Sequence, residues 1–226
     1  MGFEIRTIHA LDKDFNFVLD NPVDHIQNVI RAGDFYERDE LDLISELAGA
    51  ARFILDVGSN IGNHAIYFAH HFDAELTVPV EPNPRVLPLL RANLGLNWHA
   101  SFDLSLLGHG LADKVARGTP LVLSETNMGG ATLEVAESGS VPVTTGDIAF
   151  PEVAFDLIKI DVEGMENAVI SGMSDLLGRS NALVFVEVLL RNIGPTINQM
   201  SRLGYVYRTS YQRYGRCINL VFGKAA

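Results

Sequence analysis

The chain has 226 residues, a formal net charge of −11 and 47% hydrophobic residues. This length suits one domain with a sizeable core, and the apolar fraction is typical of a globular protein rather than a disordered one. The negative charge disfavours a polyanionic partner, so we expect no nucleic-acid binding. No apolar run is long enough to span a bilayer and residues 1–6 lack a signal core, so we expect no membrane association and a cytoplasmic protein. The single cysteine, Cys217, excludes an internal disulfide and a cysteine zinc site.

The first 52 residues differ in pattern from the remainder of the chain. Residues 1–38 show no strong hydrophobic periodicity, and an apolar helical stripe begins after Asp39 and ends near Gly49. We predict that residues 1–52 form an N-terminal lead-in and helix that belong to a lid over the functional site. Residues 53–226 are predicted to form the main domain.

The most informative segment is residues 56–64, Asp-Val-Gly-Ser-Asn-Ile-Gly-Asn-His, between an apolar run at 53–55 and a helical pattern at 65–69. A strand, a glycine turn and a helix form the first half of a nucleotide-binding crevice, because the backbone must turn sharply and approach a ligand closely. A dinucleotide fingerprint needs three glycines, but Asn60 and Asn63 occupy two of those positions. The turn therefore favours a smaller, amine-bearing ligand over a pyrophosphate.

The second strand, residues 76–80, ends in Glu81, which is placed to accept hydrogen bonds from two ribose hydroxyls. Together with Asp56 before the turn, this suits S-adenosylmethionine, a cationic amino-acid nucleoside. An NAD-dependent oxidoreductase is the alternative, which Glu81 would also suit but which Asn60 and Asn63 weaken. A third possibility is a non-catalytic cofactor-binding module of the same fold.

Strands and helices alternate along the remaining chain, which predicts a mostly parallel sheet. A third strand is expected at residues 101–107. Residues 108–146 are richer in Gly, Thr and Ser and are predicted to be a β-rich insertion on the functional face. The later elements are predicted as strands at 155–160, 183–188, 205–211 and 217–222, with helices at 165–177 and 195–203.

Carboxylates come after several predicted strands, at the edge where an open α/β sheet binds its ligand. Asp161 and Glu163 come after strand four, and Glu187 lies near the end of strand five. Asp161 is the leading candidate for the general base, or for orienting a hydroxyl acceptor. Lys159 is expected to pair with one of these carboxylates. A divalent ion on Asp161, Glu163 and Glu187 is an alternative that we do not favour.

Four segments resemble the FkbM-type family of class I S-adenosylmethionine-dependent methyltransferases. They are DVGSNIGNH at 56–64, VEPNP at 80–84, LIKIDVEGMENAVISG at 157–172 and VEV at 186–188. The likeness spans about residues 33–190. It implies a Rossmann-like α/β fold, with a mostly parallel seven-strand sheet, the last strand antiparallel, and helices on both faces. It also implies O-methylation of a hydroxyl on a small molecule, natural product or sugar.

The resemblance also implies roles for particular residues. Glu81 would contact the ribose of S-adenosylmethionine, the residues of the glycine turn would contact its methionine part, and we assign the adenine contact to Ser105. The full set of expected cofactor contacts is Tyr36, Glu37, Asp56, Gly58, Asn60, Gly62, Asn63, Glu81, Ser105 and Asp161. The expected catalytic set is Asp161, Glu163, Glu187 and Lys159. The acceptor is expected to be a small molecule or an oligosaccharide, and a homo-oligomer is left open.

Overall fold

The computed structural model describes residues 2–122, 131–136, 138–212 and 215–225. In chain order, its strands are β1 (Glu4–Ala10), β2 (Lys13–Leu19), β3 (Phe53–Val57), β4 (Leu76–Val80), β5 (Gly110–Leu111), β6 (Ala116–Val122), β7 (Ala131–Ala136), β8 (Val141–Thr144), β9 (Leu157–Ile160), β10 (Leu183–Leu189), β11 (Tyr205–Tyr211) and β12 (Cys217–Lys224). Its helices are α1 (His25–Arg31), α2 (Arg38–Ala48), α3 (Asn63–Phe72), α4 (Leu87–Leu96), α5 (Gly146–Ala149), α6 (Glu166–Ser171), α7 (Ser174–Arg179) and α8 (Ile193–Arg202). None of the described helices has the length and apolar character needed to cross a membrane.

The main sheet has the order β11-β12-β10-β9-β3-β4. Strands β4, β3, β9 and β10 are mutually parallel, and the last strand, β12, runs antiparallel to both of its neighbours. This confirms a mostly parallel sheet whose last strand is antiparallel. The carboxyl ends of β4, β3, β9 and β10 therefore meet at one edge of the sheet.

The strand predicted at residues 101–107 is the main difference from the expected seven strands. It contributes only two isolated bridges beside β4, Thr77 with Phe102 and Glu81 with Leu107. The backbone N–H and carbonyl of Thr77 form hydrogen bonds with this outer segment. The backbone groups of residue 79, two positions further along the strand, are directed to the same side. Residue 79 is a proline and has no N–H to donate, which breaks the ladder. Among the described residues, the main sheet therefore has six strands.

Helices cover both faces of this sheet, as the resemblance implied. One apolar core joins the sheet to the lead-in, α3 and α4, and a second joins it to α6, α7 and α8. Along β3, Ile54 faces the first core and Leu55 and Val57 face the second. By the same alternation, Asp56 points to the side of the lead-in.

The lead-in is more regular than its sequence suggested. Strands β1 and β2 pair as an antiparallel hairpin, with Phe15, Phe17 and Leu19 buried on one face. The hairpin packs on α4, where Asn93 and Asn97 accept hydrogen bonds from the backbone of β2. Helix α2 begins at Arg38, so Asp39, after which the helical stripe was predicted to begin, already lies within the helix and the residue before the helix is Glu37.

The predicted insertion forms a four-stranded sheet of its own, in the order β5-β8-β6-β7. It packs close to the helix predicted at 165–177, which is divided into α6 and α7. The break lies at Gly172, where a Cβ atom would stand 1.9 Å from the carbonyl oxygen of Ala112. Close approach of the insertion to the helix therefore requires glycine here.

Candidate active site

A cavity of about 1170 Å³ opens at the carboxyl ends of the parallel strands. Its floor is formed by the glycine turn, Glu81, residues 161–165, Glu187 and residues 189–191. The lead-in contributes Tyr36 and Glu37 to its wall, and the insertion contributes Leu133. The cavity is large enough for a nucleoside cofactor together with a small acceptor.

The glycine turn brings the ends of β3 and β9 into contact. Gly58 has a φ of 87°, and a Cβ atom there would lie 1.8 Å from the carbonyl oxygen of Asp161. The N–H of Asp161 also donates to the carbonyl of Val57 at 2.9 Å. Only glycine satisfies both the backbone conformation and the spacing at position 58.

Glu81 is held in one orientation by the backbone around it. Its two carboxylate oxygens accept from the N–H groups of Asn60 and Asn83, each at 2.8 Å. Burial raises the pKa of Glu81 to about 7, and the two N–H donors oppose that rise. Each oxygen keeps a second lone pair for a further donor, which is the requirement for binding a pair of ribose hydroxyls.

Lys159 joins two of the predicted carboxylates. Its Nζ lies 3.4 Å from Asp56 and 3.5 Å from Asp161, and donates to the carbonyl of Gly58 at 3.1 Å. Burial opposes the charge on Lys159, but Asp56 and Asp161 outweigh it and raise the pKa of Lys159. The predicted pairing of Lys159 is therefore confirmed. The ammonium group ties the glycine turn to the end of β9.

Three further acidic side chains surround Asp161 in the cavity wall. Burial, and then the negative charge of Asp161, raises the pKa of Glu187 to about 9 and that of Glu163 to about 7. Burial and then the charges of Glu40 and Asp161 raise the pKa of Glu37 to about 8. At neutral pH, Glu37 and Glu187 are therefore mainly protonated and able to donate hydrogen bonds.

Asn63 fastens the lead-in to the glycine turn. Its side-chain amide accepts from the N–H of Tyr36 and donates to the carbonyl of the same residue, each at 2.9 Å. The next lead-in residue, Glu37, has a φ of 60° and lies 3.5 Å from Nε2 of His64. Burial lowers the pKa of His64 well below its usual value, so this pair involves a neutral imidazole.

The predicted site residues fall into two groups. Those that line the cavity are Tyr36, Glu37, Gly58, Asn60, Glu81, Asp161, Glu163 and Glu187. Beneath its floor, Asp56 is fully buried with Lys159, and the Asn63 amide is engaged with the backbone of Tyr36. Gly62 makes room for the side chains of Leu90 and Ile66.

Ser105 is not brought to the cavity and is a correction to the sequence-based assignment. It is exposed on a turn, before the point where Leu107 pairs with Glu81. The segment that should have carried it to the carboxyl edge is the one interrupted opposite Pro79. The structure therefore does not support an adenine contact from Ser105.

Sequence reasoning missed several lining residues, among them His25, Arg191, Arg216 and Cys217. Antiparallel pairing of β12 with β10 sets Cys217 beside Leu189, so the start of the last strand reaches the carboxyl edge. Cys217 is partly buried and forms part of the wall. Burial and the charge of Glu187 raise the pKa of its thiol to about 12.

Metal binding was the alternative for the carboxylates at the ends of β9 and β10. In the part of the chain that the structure describes, no group of three or more His, Cys, Asp or Glu side chains is arranged to hold a metal ion. The carboxylates lie along the cavity wall and affect one another through their charges. They do not surround a common point.

Residues 56–207 match the sequence profile of the methyltransferase FkbM domain. The chain belongs to the FkbM methyltransferase family. This confirms the family predicted from the sequence, and an FkbM methyltransferase domain replaces the oxidoreductase alternative. The match begins at Asp56, so the lead-in lies outside the family profile.

One relative resembles this FkbM chain in sequence, and two solved structures resemble it in fold. It is 31% identical over 160 residues to the hexuronic acid methyltransferase AglP of Haloferax volcanii, covering 67% of this chain and 62% of that relative. A methyltransferase FkbM from Methylobacillus flagellatus KT has a TM-score of 0.51 at 17% identity, covering 75% of this chain and 43% of that one. TYW2 of M. jannaschii, solved with AdoMet, has a TM-score of 0.51 at 11% identity, covering 100% and 89%. These structures share the class I methyltransferase fold.

Proposed function

We propose that this protein is an S-adenosylmethionine-dependent O-methyltransferase that acts on a hydroxyl group of a sugar or a related small molecule. The observation that carries the proposal is the order of Glu81, Gly58 and Asp161 along one cavity, on the adjacent strand ends of β4, β3 and β9. This order provides a hydrogen-bond acceptor for the ribose hydroxyls, a backbone that can approach the cofactor closely, and a carboxylate next to the space for the methyl acceptor.

The residues present fit this cofactor. Glu81 would accept hydrogen bonds from the ribose hydroxyls, and the backbone of Gly58 and Asn60 would lie along the methionine part. The carboxylate of Asp161 would face its positively charged amine and sulfonium groups. When bound, S-adenosylmethionine supplies a methyl group on a positively charged sulfur, ready for attack by a nucleophile.

The acceptor hydroxyl must lose its proton as its oxygen forms the new bond to the methyl carbon and the bond from that carbon to sulfur breaks. Asp161 is our candidate to receive the proton, since it is the ion-paired carboxylate of the cavity and is partly open to it. Glu187, with its raised pKa, would donate a hydrogen bond and hold the acceptor in line with the methyl group.

A sugar acceptor is supported by two observations. The relative of Haloferax volcanii is named a hexuronic acid methyltransferase. In addition, the acidic side chains around Asp161 supply both donors and acceptors at neutral pH, which suits a ligand with several hydroxyl groups.

The test is methyl transfer from labelled S-adenosylmethionine to a panel of neutral and acidic sugars. Alkali treatment of the product distinguishes methylation of a carboxylate from methylation of a hydroxyl, because a methyl ester is cleaved and a methyl ether is not. D161N should lower turnover by roughly 10²-fold or more while cofactor affinity is retained. D113N, on an exposed loop, is the matched control and should be fully active. Transfer to no sugar hydroxyl, or equal activity of D161N and the unaltered protein, would contradict the proposal.

A further inference from the structure

Two arginines, Arg191 and Arg216, lie together at one end of the cavity. Arg191 belongs to a single 3-10 turn, Leu190–Asn192, directly after β10, and Arg216 immediately precedes β12. The N–H of Leu190 donates to the carbonyl of Arg216 at 3.2 Å, which continues the pairing of Leu189 with Cys217. The two arginines therefore stand on adjoining backbone segments.

The arginines lie at the opposite end of the cavity from Glu81. In the sheet order, β9, β10 and β12 lie beyond β3 on the side away from β4. Neighbouring strands are about 4.8 Å apart, so β12 lies roughly 14 Å from β3. The space between Asp161 and the arginines is therefore separate from the ribose end and is available to an acceptor.

The charges of the cavity are unevenly distributed. Among the described residues, the Arg, Asp and Glu side chains of the lining are these two arginines and five carboxyl groups, and His25 also lines the cavity. Lys159 beneath the floor is engaged with Asp56 and Asp161. Within the described residues, neither the Arg191 nor the Arg216 guanidinium group forms a hydrogen bond or an ion pair. Both arginines are exposed. The positive charge of Arg216 lowers the pKa of Glu163, whereas burial and the negative charge of Asp161 raise it.

We propose that Arg191 and Arg216 bind the ionised carboxylate of an acidic sugar acceptor, while a ring hydroxyl of the same sugar faces Asp161. This inference rests on the proposed function and narrows its substrate class to sugars of the hexuronic acid type. A guanidinium group binds a carboxylate through two parallel hydrogen bonds, which gives orientation as well as affinity. A carboxylate held in this way is not the methylated group, so the product is a methyl ether that resists alkali.

The experiment compares methyl glucuronide with methyl glucoside as probes, each titrated into protein saturated with S-adenosylhomocysteine. The glucuronide should bind at least tenfold more tightly than the glucoside. R191A and R216A should each lose most of that preference without a change in affinity for the glucoside. R216K keeps the charge but not the planar fork, and should retain only part of the preference. R202A, an exposed arginine on α8 outside the cavity lining, is the matched control and should retain all of it.

The outcomes separate this inference from the proposed function. Equal affinity for the two probes, including no measurable binding of either, would overturn the carboxylate site. So would an unchanged preference in R191A and R216A, or an alkali-labile product. Affinity for S-adenosylhomocysteine in each variant reports correct folding of the cofactor end. If the unaltered protein failed to bind S-adenosylhomocysteine, both the proposed function and this inference would be wrong.

Discussion

The carbonyl oxygen of Asp161 occupies the position that a side chain on Gly58 would need, since a Cβ atom there would lie only 1.8 Å away. The turn after β3 and the segment after β9 are thus packed backbone against backbone. The same two segments are joined by Lys159, which contacts Asp161 and the carbonyl of Gly58. The two ends of the cavity that we assign to the cofactor and to the acceptor therefore share this junction.

Replacing Gly58 with alanine should break this junction. The added methyl group meets backbone rather than a mobile side chain, and the φ of 87° is unfavourable for alanine. We expect a loss of about 2–4 kcal/mol in the free energy of unfolding and at least a tenfold loss of affinity for S-adenosylhomocysteine. The control is G178A on α7, where the methyl group meets nothing within 4 Å and should stabilise the helix by about 0.5–1 kcal/mol. Urea denaturation and calorimetry measure both quantities, and a G58A protein indistinguishable from the unaltered one would refute the proposed role of the turn.

Cofactor affinity should depend on pH through Glu81. Because burial raises its pKa to about 7, this carboxylate gains a proton as the pH falls through 7 and loses one acceptor. Affinity for S-adenosylhomocysteine should therefore be highest at pH 8 and fall towards pH 6. E81Q should bind more weakly by about 1–3 kcal/mol at pH 8 and show little change over that range. Because Glu163 also has a pKa of about 7, E163Q is the control. Loss of the pH dependence in E163Q rather than in E81Q would assign the pH dependence to Glu163.

Glu187 should limit the stability of the protein at alkaline pH. Its pKa is raised from 4.5 to about 9 on folding, so its favourable contribution is complete below pH 4.5 and is lost as the pH rises towards 9. E187Q cannot ionise, so between pH 5 and pH 9 it should lose several kcal/mol less unfolding free energy than the unaltered protein, at about 1.4 kcal/mol for each unit of pKa shift. E46Q, on the exposed side of α2, should show no such difference. Denaturant titrations at the two pH values measure this difference, and equal pH dependence of E187Q and the unaltered protein would contradict the raised pKa of Glu187.

Asn63 and Asn97 make the same pattern of bonds in different places, and this permits a matched comparison. Asn63 bonds to both backbone groups of Tyr36 at the cavity, and Asn97 bonds to both backbone groups of Asn16 on the hairpin. We expect N63A and N97A each to lose about 1–3 kcal/mol of stability, because backbone groups lose their partners. Only N63A should also lose affinity for S-adenosylhomocysteine, as measured by calorimetry. A parallel loss in N97A would mean that the lead-in does not act through Tyr36 and Glu37.

The sequence was most informative where geometry is determined by chain order. Gly58, Glu81 and Asp161 each lie directly after a strand, so a parallel sheet brings them to one edge, as it does here. The pairing of Lys159 was also predictable, since its strand position opposite Asp56 is set by the parallel register. Resemblance to a family supplied the antiparallel last strand.

Other parts of the site depended on contacts that chain order does not reveal. Asp56 and Asn63 belong to the recognisable turn, yet one is buried with Lys159 and the other binds the backbone of Tyr36. The adenine contact assigned to Ser105 required a continuous strand at residues 101–107, and this segment forms only two isolated bridges beside β4. Arg216 reaches the cavity because β12 begins beside the end of β10.

The most direct test of the central claim is calorimetric titration of the purified protein with S-adenosylhomocysteine, with NAD titrated in parallel. We predict one site of micromolar affinity for S-adenosylhomocysteine and no measurable binding of NAD. Binding of NAD instead, or no binding of S-adenosylhomocysteine at pH 8, would contradict the assignment of this cavity to methyl transfer.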